Sequence, residues 1–187
     1  MSKYTFYNKI ISDDELIVGL VSHIHRAFNY KGTIESIKNI KTRFEEVYGL
    51  KFNVQYVDWN GMDVPSWCNA VLKRTAKNVY TVVLPSVFDE EDEAKKNDLY
   101  NLVRFMYLKA IGYVILDNEP EVSISLSFKH TAEKMDVLAE KFALEFLIPT
   151  WTVQKIKKQK NGNIVWTDLT EGKKEISKDI AVLRLEE

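Results

Sequence analysis

The chain has 187 residues, of which 45% are hydrophobic and 28% charged, as in a soluble globular protein of about one domain. With 26 Lys and Arg against 27 Asp and Glu, its net charge of −1 excludes a general electrostatic attraction to nucleic acid or anionic membranes. Seven Gly and four Pro exclude collagen-like, linker-like and low-complexity chains and favour helices.

Two helices are predicted at the start of the chain. The acidic stretch Ser12–Glu15 marks a helix start, and apolar residues follow it at helical spacing up to Phe28. A second amphipathic helix opens near Thr33 and ends at Gly49. The sequence then changes from helical to alternating periodicity.

Three strands follow these helices. Residues 51–59 alternate and are rich in β-forming side chains. Residues 69–75 and 79–84 are expected to form a strand pair that turns at Lys77-Asn78. The pattern predicts a small antiparallel-type sheet of about three strands.

The rest of the chain is predicted to be mainly helical. Its first helix is strongly apolar and follows the acidic run Asp89–Glu93, which is expected to cap it. The expected elements are Glu93–Leu116, Thr131–Leu147 (stopped by Pro149), Val153–Lys158, a hairpin around Asn161-Gly162, and a terminal helix from Ser177.

This order predicts an α+β fold in one compact domain. Residues 1–60 form an N-terminal helical segment that leads into the sheet, residues 61–150 the core, and residues 151–187 a tail of hairpin and helix. The N-terminus has no apolar core of the signal-peptide kind, and the longest apolar run, Ala110 to Leu116, is too short to span a bilayer. The sequence therefore predicts a cytoplasmic protein, and the single Cys68 is compatible with a reducing compartment.

Most catalytic and metal-binding patterns are absent. His23 and His25 are two apart on a predicted helix, so they cannot chelate one ion together and are expected to be surface or edge residues. His130 stands alone before a helix, and Cys68 has no local activator. The sequence contains no G-x-S-x-G elbow and no phosphate-binding glycine loop.

A basic patch in the tail is a candidate nucleic-acid contact, although a solvated charged face is the more common meaning of such a patch. The residues concerned are Lys155, Lys157, Lys158, Lys160, Lys173, Lys174 and Lys178, with Trp151 and Trp166 nearby.

Three stretches in the second half resemble one family. Residues 104–116 (RFMYLKAIGYVIL) resemble the active-site helix of the ImmA/IrrE family, zinc metallopeptidases encoded in mobile elements and stress-response systems. Residues 139–149 (AEKFALEFLIP) resemble the family's A-N-x-F-A-x-x-L-L-M-P stretch, and residues 176–186 its V-S-x-x-A-V-x-x-R-L ending. The resemblance implies a zincin-like fold in which residues 79–84 form an edge strand.

The family's catalytic motif is degenerate in this chain. In H-E-x-x-H, two histidines one turn apart hold zinc and the glutamate activates the bound water, but Lys109, Ala110 and Tyr113 stand at those positions. Asp136 is the nearest match to the family's acidic third ligand, and Asp117 falls where some members carry a further histidine. The resemblance therefore implies a pseudo-metallopeptidase without metal, cofactor or catalytic residues, in which Lys109 pairs with Asp136.

The function implied is recognition of a protein. Active members of the family cut or switch DNA-binding regulators, so an inactive relative is expected to bind such a regulator, or a defence protein if it comes from a phage or mobile element. Trp59, Trp67, Trp151 and Trp166 are candidate anchors for this interface.

Two alternatives remain open. One is a nucleic-acid-binding regulator that uses the lysine-rich tail, chiefly Lys155, Lys157 and Lys158. The other is a hydrolase with a rearranged site, in which Cys68 or the histidines would converge on the cleft near Lys109.

Overall fold

A computed structural model describes residues 12–30, 36–58, 70–87, 91–118, 132–171 and 176–187. These ranges contain seven helices and three strands, so the predicted α+β class is confirmed. In chain order they are α1 (Asp13–Ala27), α2 (Ile37–Tyr48), β1 (Lys51–Val57), β2 (Val71–Ala76), β3 (Val79–Pro85), α3 (Glu93–Asn118), α4 (Ala132–Leu147), α5 (Thr150–Gln159), α6 (Trp166–Thr170) and α7 (Lys178–Glu186).

Local caps explain where several helices begin and end. The Ser12 hydroxyl accepts a bond from the Glu15 backbone N–H, and the Glu15 carboxylate accepts one from the Ser12 N–H. Asp92 accepts bonds from two backbone N–H groups in the first turn of α3, which confirms capping by the acidic run at this residue. Gly49 ends α2 at φ 64°, a left-handed conformation that glycine adopts without strain.

The sheet has the order β1-β3-β2, with β3 antiparallel to β2 and parallel to β1. The antiparallel-type prediction is therefore wrong for the β1–β3 pair. The strand predicted at residues 79–84 is also not an edge strand, because β3 lies between the two others. Its apolar run, with Tyr80, Val82 and Leu84 buried, is typical of a strand with neighbours on both sides.

Helices α3 and α4 pack against each other at the centre of the fold. They approach closely at Gly112, because a Cβ atom there would lie 2.9 Å from Cδ1 of Phe142 and 3.2 Å from the Ala139 carbonyl oxygen. Buried side chains surround α3 on most of its circumference. The two helices thus form a rigid base for the side chains between them.

The tail differs from its prediction in one respect. Asn161 and Gly162 do form a turn at positive φ, but residues 163–165 are irregular and the short helix α6 follows, so the expected hairpin is wrong. The turn instead ends α5, since the Gly162 N–H donates to the Lys157 carbonyl. The terminal helix is confirmed, with the Ser177 hydroxyl accepting from the Ile180 N–H.

Among the helices described, only α3 is long and apolar enough to cross a membrane. Inside the protein, 78% of its most apolar 18-residue window is buried, as in the core helix of a soluble protein.

Candidate functional site

The candidate site lies where α3 and α4 face each other. Lys109 and Tyr113 are one turn apart on α3, and Asp136 and Glu140 are one turn apart on α4. Residues four apart project from the same helix face, so each helix contributes two neighbouring side chains to the gap between them.

Lys109 is buried, with 2% of its surface exposed. Its ammonium group donates to Asp136 Oδ2 at 2.9 Å and to Glu140 Oε2 at 3.2 Å. The predicted Lys109–Asp136 pair is therefore confirmed. Glu140 is a partner that sequence reasoning missed, although its i+4 spacing from Asp136 was a signal for it.

Tyr113 completes the cluster. Its hydroxyl donates to Asp136 Oδ1 at 2.8 Å, so the two oxygens of this carboxylate are held by two different residues of α3. Burial, followed by the hydrogen bond to Asp136, raises the pKa of Tyr113 well above its usual range. The phenol therefore stays protonated at neutral pH and acts as a donor.

A cavity of about 340 Å³ opens beside this cluster. This volume is within the range of small ligand sites. Its apolar wall is formed by Ala70, just before β2, and Leu72, the second residue of β2. Neither was predicted as a site residue. Among the described residues, the cavity is also lined by the four that the resemblance assigns to motif positions, Lys109, Ala110, Tyr113 and Asp136.

These residues do not fit a zinc ion. The Lys109 ammonium has no lone pair and repels a cation, and the Tyr113 phenol already donates its proton to Asp136. Ala110 offers no proton acceptor for a bound water. The described part of the chain contains no group of three His, Cys, Asp or Glu side chains that could hold a metal ion. Asp117 lies exposed near the end of α3.

The histidines do not converge on the cleft within the described residues. His25 was expected at the surface but is buried, because its ring stacks on Tyr30 at 4.2 Å between centroids and meets the edge of Phe146 at 4.8 Å. Phe146 lies six residues beyond Glu140 along α4, about 9 Å further on. His23 is half-buried on α1. His130 and Cys68 lie outside the described residues.

The tryptophan anchors divide into two groups. Trp151 is 56% exposed on α5. Trp166 is half-buried, and the Lys178 ammonium lies over its ring, 5.3 Å from the centroid. Trp59 and Trp67 lie outside the described residues. Trp151 is therefore the tryptophan that the structure shows open to a partner.

The basic patch is also only partly assembled. Lys155, Lys157 and Lys158 are exposed on α5, but Lys160 pairs with Asp168 at 2.9 Å. Lys173 and Lys174 lie outside the described residues. The free positive charge of the tail is thus concentrated on α5 within the part of the chain described.

Comparison of the chain with models of protein families, with curated proteins and with solved structures finds no match. The resemblance to the ImmA/IrrE family therefore depends on the three sequence stretches and stays a prediction.

Proposed function

We propose that this chain is a catalytically inactive ImmA/IrrE-like protein with a zincin-like core, which acts in the cytoplasm by binding a protein partner. The partner expected from the resemblance is a DNA-binding regulator or a defence protein, as for a factor carried by a phage or mobile element. One observation carries the proposal: a lysine ammonium lies between α3 and α4 where a bridging metal ion would be needed for catalysis.

The chemistry of the cluster supports recognition over catalysis. Lys109 compensates charge that a metal ion would otherwise compensate, and Asp136 is engaged on both oxygens by α3. No acceptor stands at position 110 to take a proton from water. The cavity remains open next to this cluster and offers a partner both apolar and charged surface.

The relation to zinc peptidases is tested by restoring the two histidines. Because Lys109 and Tyr113 both contact Asp136, Lys109→His with Tyr113→His would point two imidazoles at one carboxylate. We expect this variant to retain one zinc per chain after dialysis. Saturating zinc is expected to raise its melting temperature by roughly 5–10 °C, measured by calorimetry and metal analysis.

Two controls make this test specific. Adding Asp136→Asn to the variant removes the third ligand and is expected to abolish retention of zinc. The same pair of histidines at Trp151 and Lys155 is one turn apart on α5, where no acidic residue occurs, and is expected to lose zinc on dialysis. Equal retention by both pairs would remove the link to a zinc-peptidase scaffold.

Protein binding is tested by partner capture from the native host. Ala70→Lys places a cation at the cavity wall, and Val47→Lys makes the same change at an exposed site on α2. A partner that binds in the cleft is retained by wild type and Val47→Lys but lost by Ala70→Lys. Equal capture of the partner by wild type and Ala70→Lys would contradict binding in the cleft.

A nucleic-acid function has one observation in its favour. Lys155, Lys157 and Lys158 are exposed on α5, which contains no acidic residue, and Trp151 is exposed on the same helix. This function requires an affinity for DNA or RNA that falls steeply as the salt concentration rises. An affinity that does not change with salt would exclude it.

A further inference from the structure

The charge of the cluster at the α3–α4 cleft is not balanced. One ammonium, that of Lys109, faces two carboxylates, so Lys109, Asp136 and Glu140 have a formal net charge of −1. The ammonium is buried, but the side chains of Asp136 and Glu140 are 36% and 37% exposed. The negative charge therefore reaches solvent while the compensating positive charge does not.

Among the described residues that line the cavity, Lys109 is the one cation. On α4, Lys134 and Lys141 pair with Asp13 and Asp14 of α1. Glu133, one turn before Asp136, is exposed and adds negative charge to the same end of α4.

The two basic residues of β2, Lys73 and Arg74, do not line the cavity either. Lys73 follows Leu72 and points to the opposite face of the sheet by strand alternation. Arg74 is on the same face of β2 as Leu72, but its guanidinium carbon lies 6.0 Å from the centroid of the Tyr80 ring and the residue does not line the cavity.

The walls of the cavity select the shape of a ligand. Ala70, Leu72 and Ala110 provide apolar contact, and the Tyr113 ring is an aromatic face beside the Asp136 carboxylate. A side chain with an apolar stem and a planar cationic head matches this combination. Arginine fits better than lysine, because a guanidinium stacks on an aromatic ring and is less strongly hydrated than an ammonium.

We propose that the cavity between β2 and α3 receives an arginine side chain of the protein partner. Each oxygen of the Asp136 carboxylate accepts one bond from α3 and has a second lone pair, which binds the guanidinium, while Leu72 and Ala110 contact its stem. This inference deepens the proposed function, on which it rests, by naming the chemistry of the partner. Glu140 contributes through its ion pair with Lys109, because this second carboxylate leaves the cluster with a net negative charge.

The test uses the full-length protein and the blocked tripeptide acetyl-Ala-Arg-Ala-amide. Its citrulline analogue has nearly the same shape without the charge, and its lysine analogue has the charge without the planar fork. Backbone amide chemical shifts of Leu72, Ala110 and Tyr113 report binding at the cavity. We expect saturable shifts with the arginine peptide, at least about fivefold weaker binding of the lysine peptide, and no binding of the citrulline peptide.

Variants locate the charge that is responsible. Glu140→Gln leaves Lys109 paired with Asp136 but makes the cluster neutral, and we expect it to weaken arginine binding at least about fivefold. Glu46→Gln makes the same change at an exposed position on α2 and is expected to bind like wild type. Ala70→Lys, which leaves the helix pair untouched, is expected to weaken binding similarly to Glu140→Gln.

Three results would overturn the inference: equal binding of the citrulline peptide, equal binding of the lysine peptide, or unchanged affinity in both Glu140→Gln and Ala70→Lys. These outcomes are separate from failure of the proposed function. A histidine variant that holds zinc, or a captured partner lost by Ala70→Lys, would leave the proposed function standing while the arginine assignment fell.

Discussion

Lys109 sets the charge and the hydrogen bonding of the cleft between α3 and α4. Ion pairs with two partly exposed carboxylates offset part of the cost of burying the ammonium, and the hydrogen bond from Tyr113 orients the Asp136 carboxylate. A buried charge of this kind tolerates few replacements. A single residue, Lys109, thus decides that a cation of the protein itself, and not a metal ion, lies between the two carboxylates.

His25 gives a prediction about pH at the same scale. Burial lowers its pKa from 6.5 to about 4, so the folded state resists protonation more than the unfolded state does. Stability that depends on neutral His25 is complete above pH 6.5 and is lost as the pH falls toward 4. We expect this residue to account for a loss of up to about 3 kcal/mol over that range, measured by urea unfolding.

The control for His25 is His25→Phe, which keeps a ring between Tyr30 and Phe146 but cannot be protonated. The difference in stability between pH 7 and pH 4.5 should be smaller in this variant than in wild type. Parallel pH curves for the two proteins would show that His25 contributes nothing to acid unfolding.

At the scale of elements, the contact between α3 and α4 carries the site. The two helices can place their side chains within hydrogen-bond distance because Gly112 lets the backbone of α3 approach Phe142 and Ala139 of α4 closely. The sheet contributes less, since only the start of β2 reaches the cavity, through Leu72 and the preceding Ala70.

Gly112→Ala is expected to destabilise the protein by about 1–3 kcal/mol. The new methyl group would lie 2.9 Å from a buried ring atom of Phe142, and the resulting strain outweighs the gain in helix propensity. The matched control is Gly19→Ala on α1, where nothing lies within 4 Å of the new Cβ. This control should gain about 0.5–1 kcal/mol in urea unfolding, and a gain for both variants would contradict close packing at Gly112.

At the scale of the molecule, the C-terminal helix packs on the core through Ile180 and Ala181 and is also bonded to it by one arginine. The Arg184 guanidinium donates to the Ile148 carbonyl at 2.9 Å, to the Thr150 hydroxyl at 2.8 Å and to the carboxylates of Glu145 and Glu187. This network connects α7 to the end of α4 and the start of α5. It lies on the side of α4 away from Asp136, so it supports the site without forming part of it.

Arg184→Met is expected to destabilise the protein by about 3 kcal/mol, because it leaves the buried Glu145 carboxylate without its ion-pair partner. Adding Glu145→Leu to this variant should recover part of the loss, since the uncompensated charge is then removed. The measurement is the midpoint of urea unfolding. Glu186→Gln, an exposed change on the same helix, is the control and should shift the free energy of unfolding by less than about 0.5 kcal/mol.

The sequence alone determined the elements with strong local signals. The apolar periodicity of α3 and α4 placed both helices within a few residues, and the caps at Ser12, Asp92 and Ser177 marked real helix starts. Helical spacing also brought Lys109 and Tyr113 to one face. These features depend on residues that are neighbours in the chain, and propensity and periodicity describe such neighbours well.

Tertiary structure decided the features that depend on distant residues. The order β1-β3-β2, with β3 parallel to β1, depends on the pairing of strands that are more than 20 residues apart in the chain. The burial of His25 depends on Phe146, and the second carboxylate on Lys109 depends on how α4 packs against α3. Packing across long chain separations sets these contacts, so they appear only when the chain is folded.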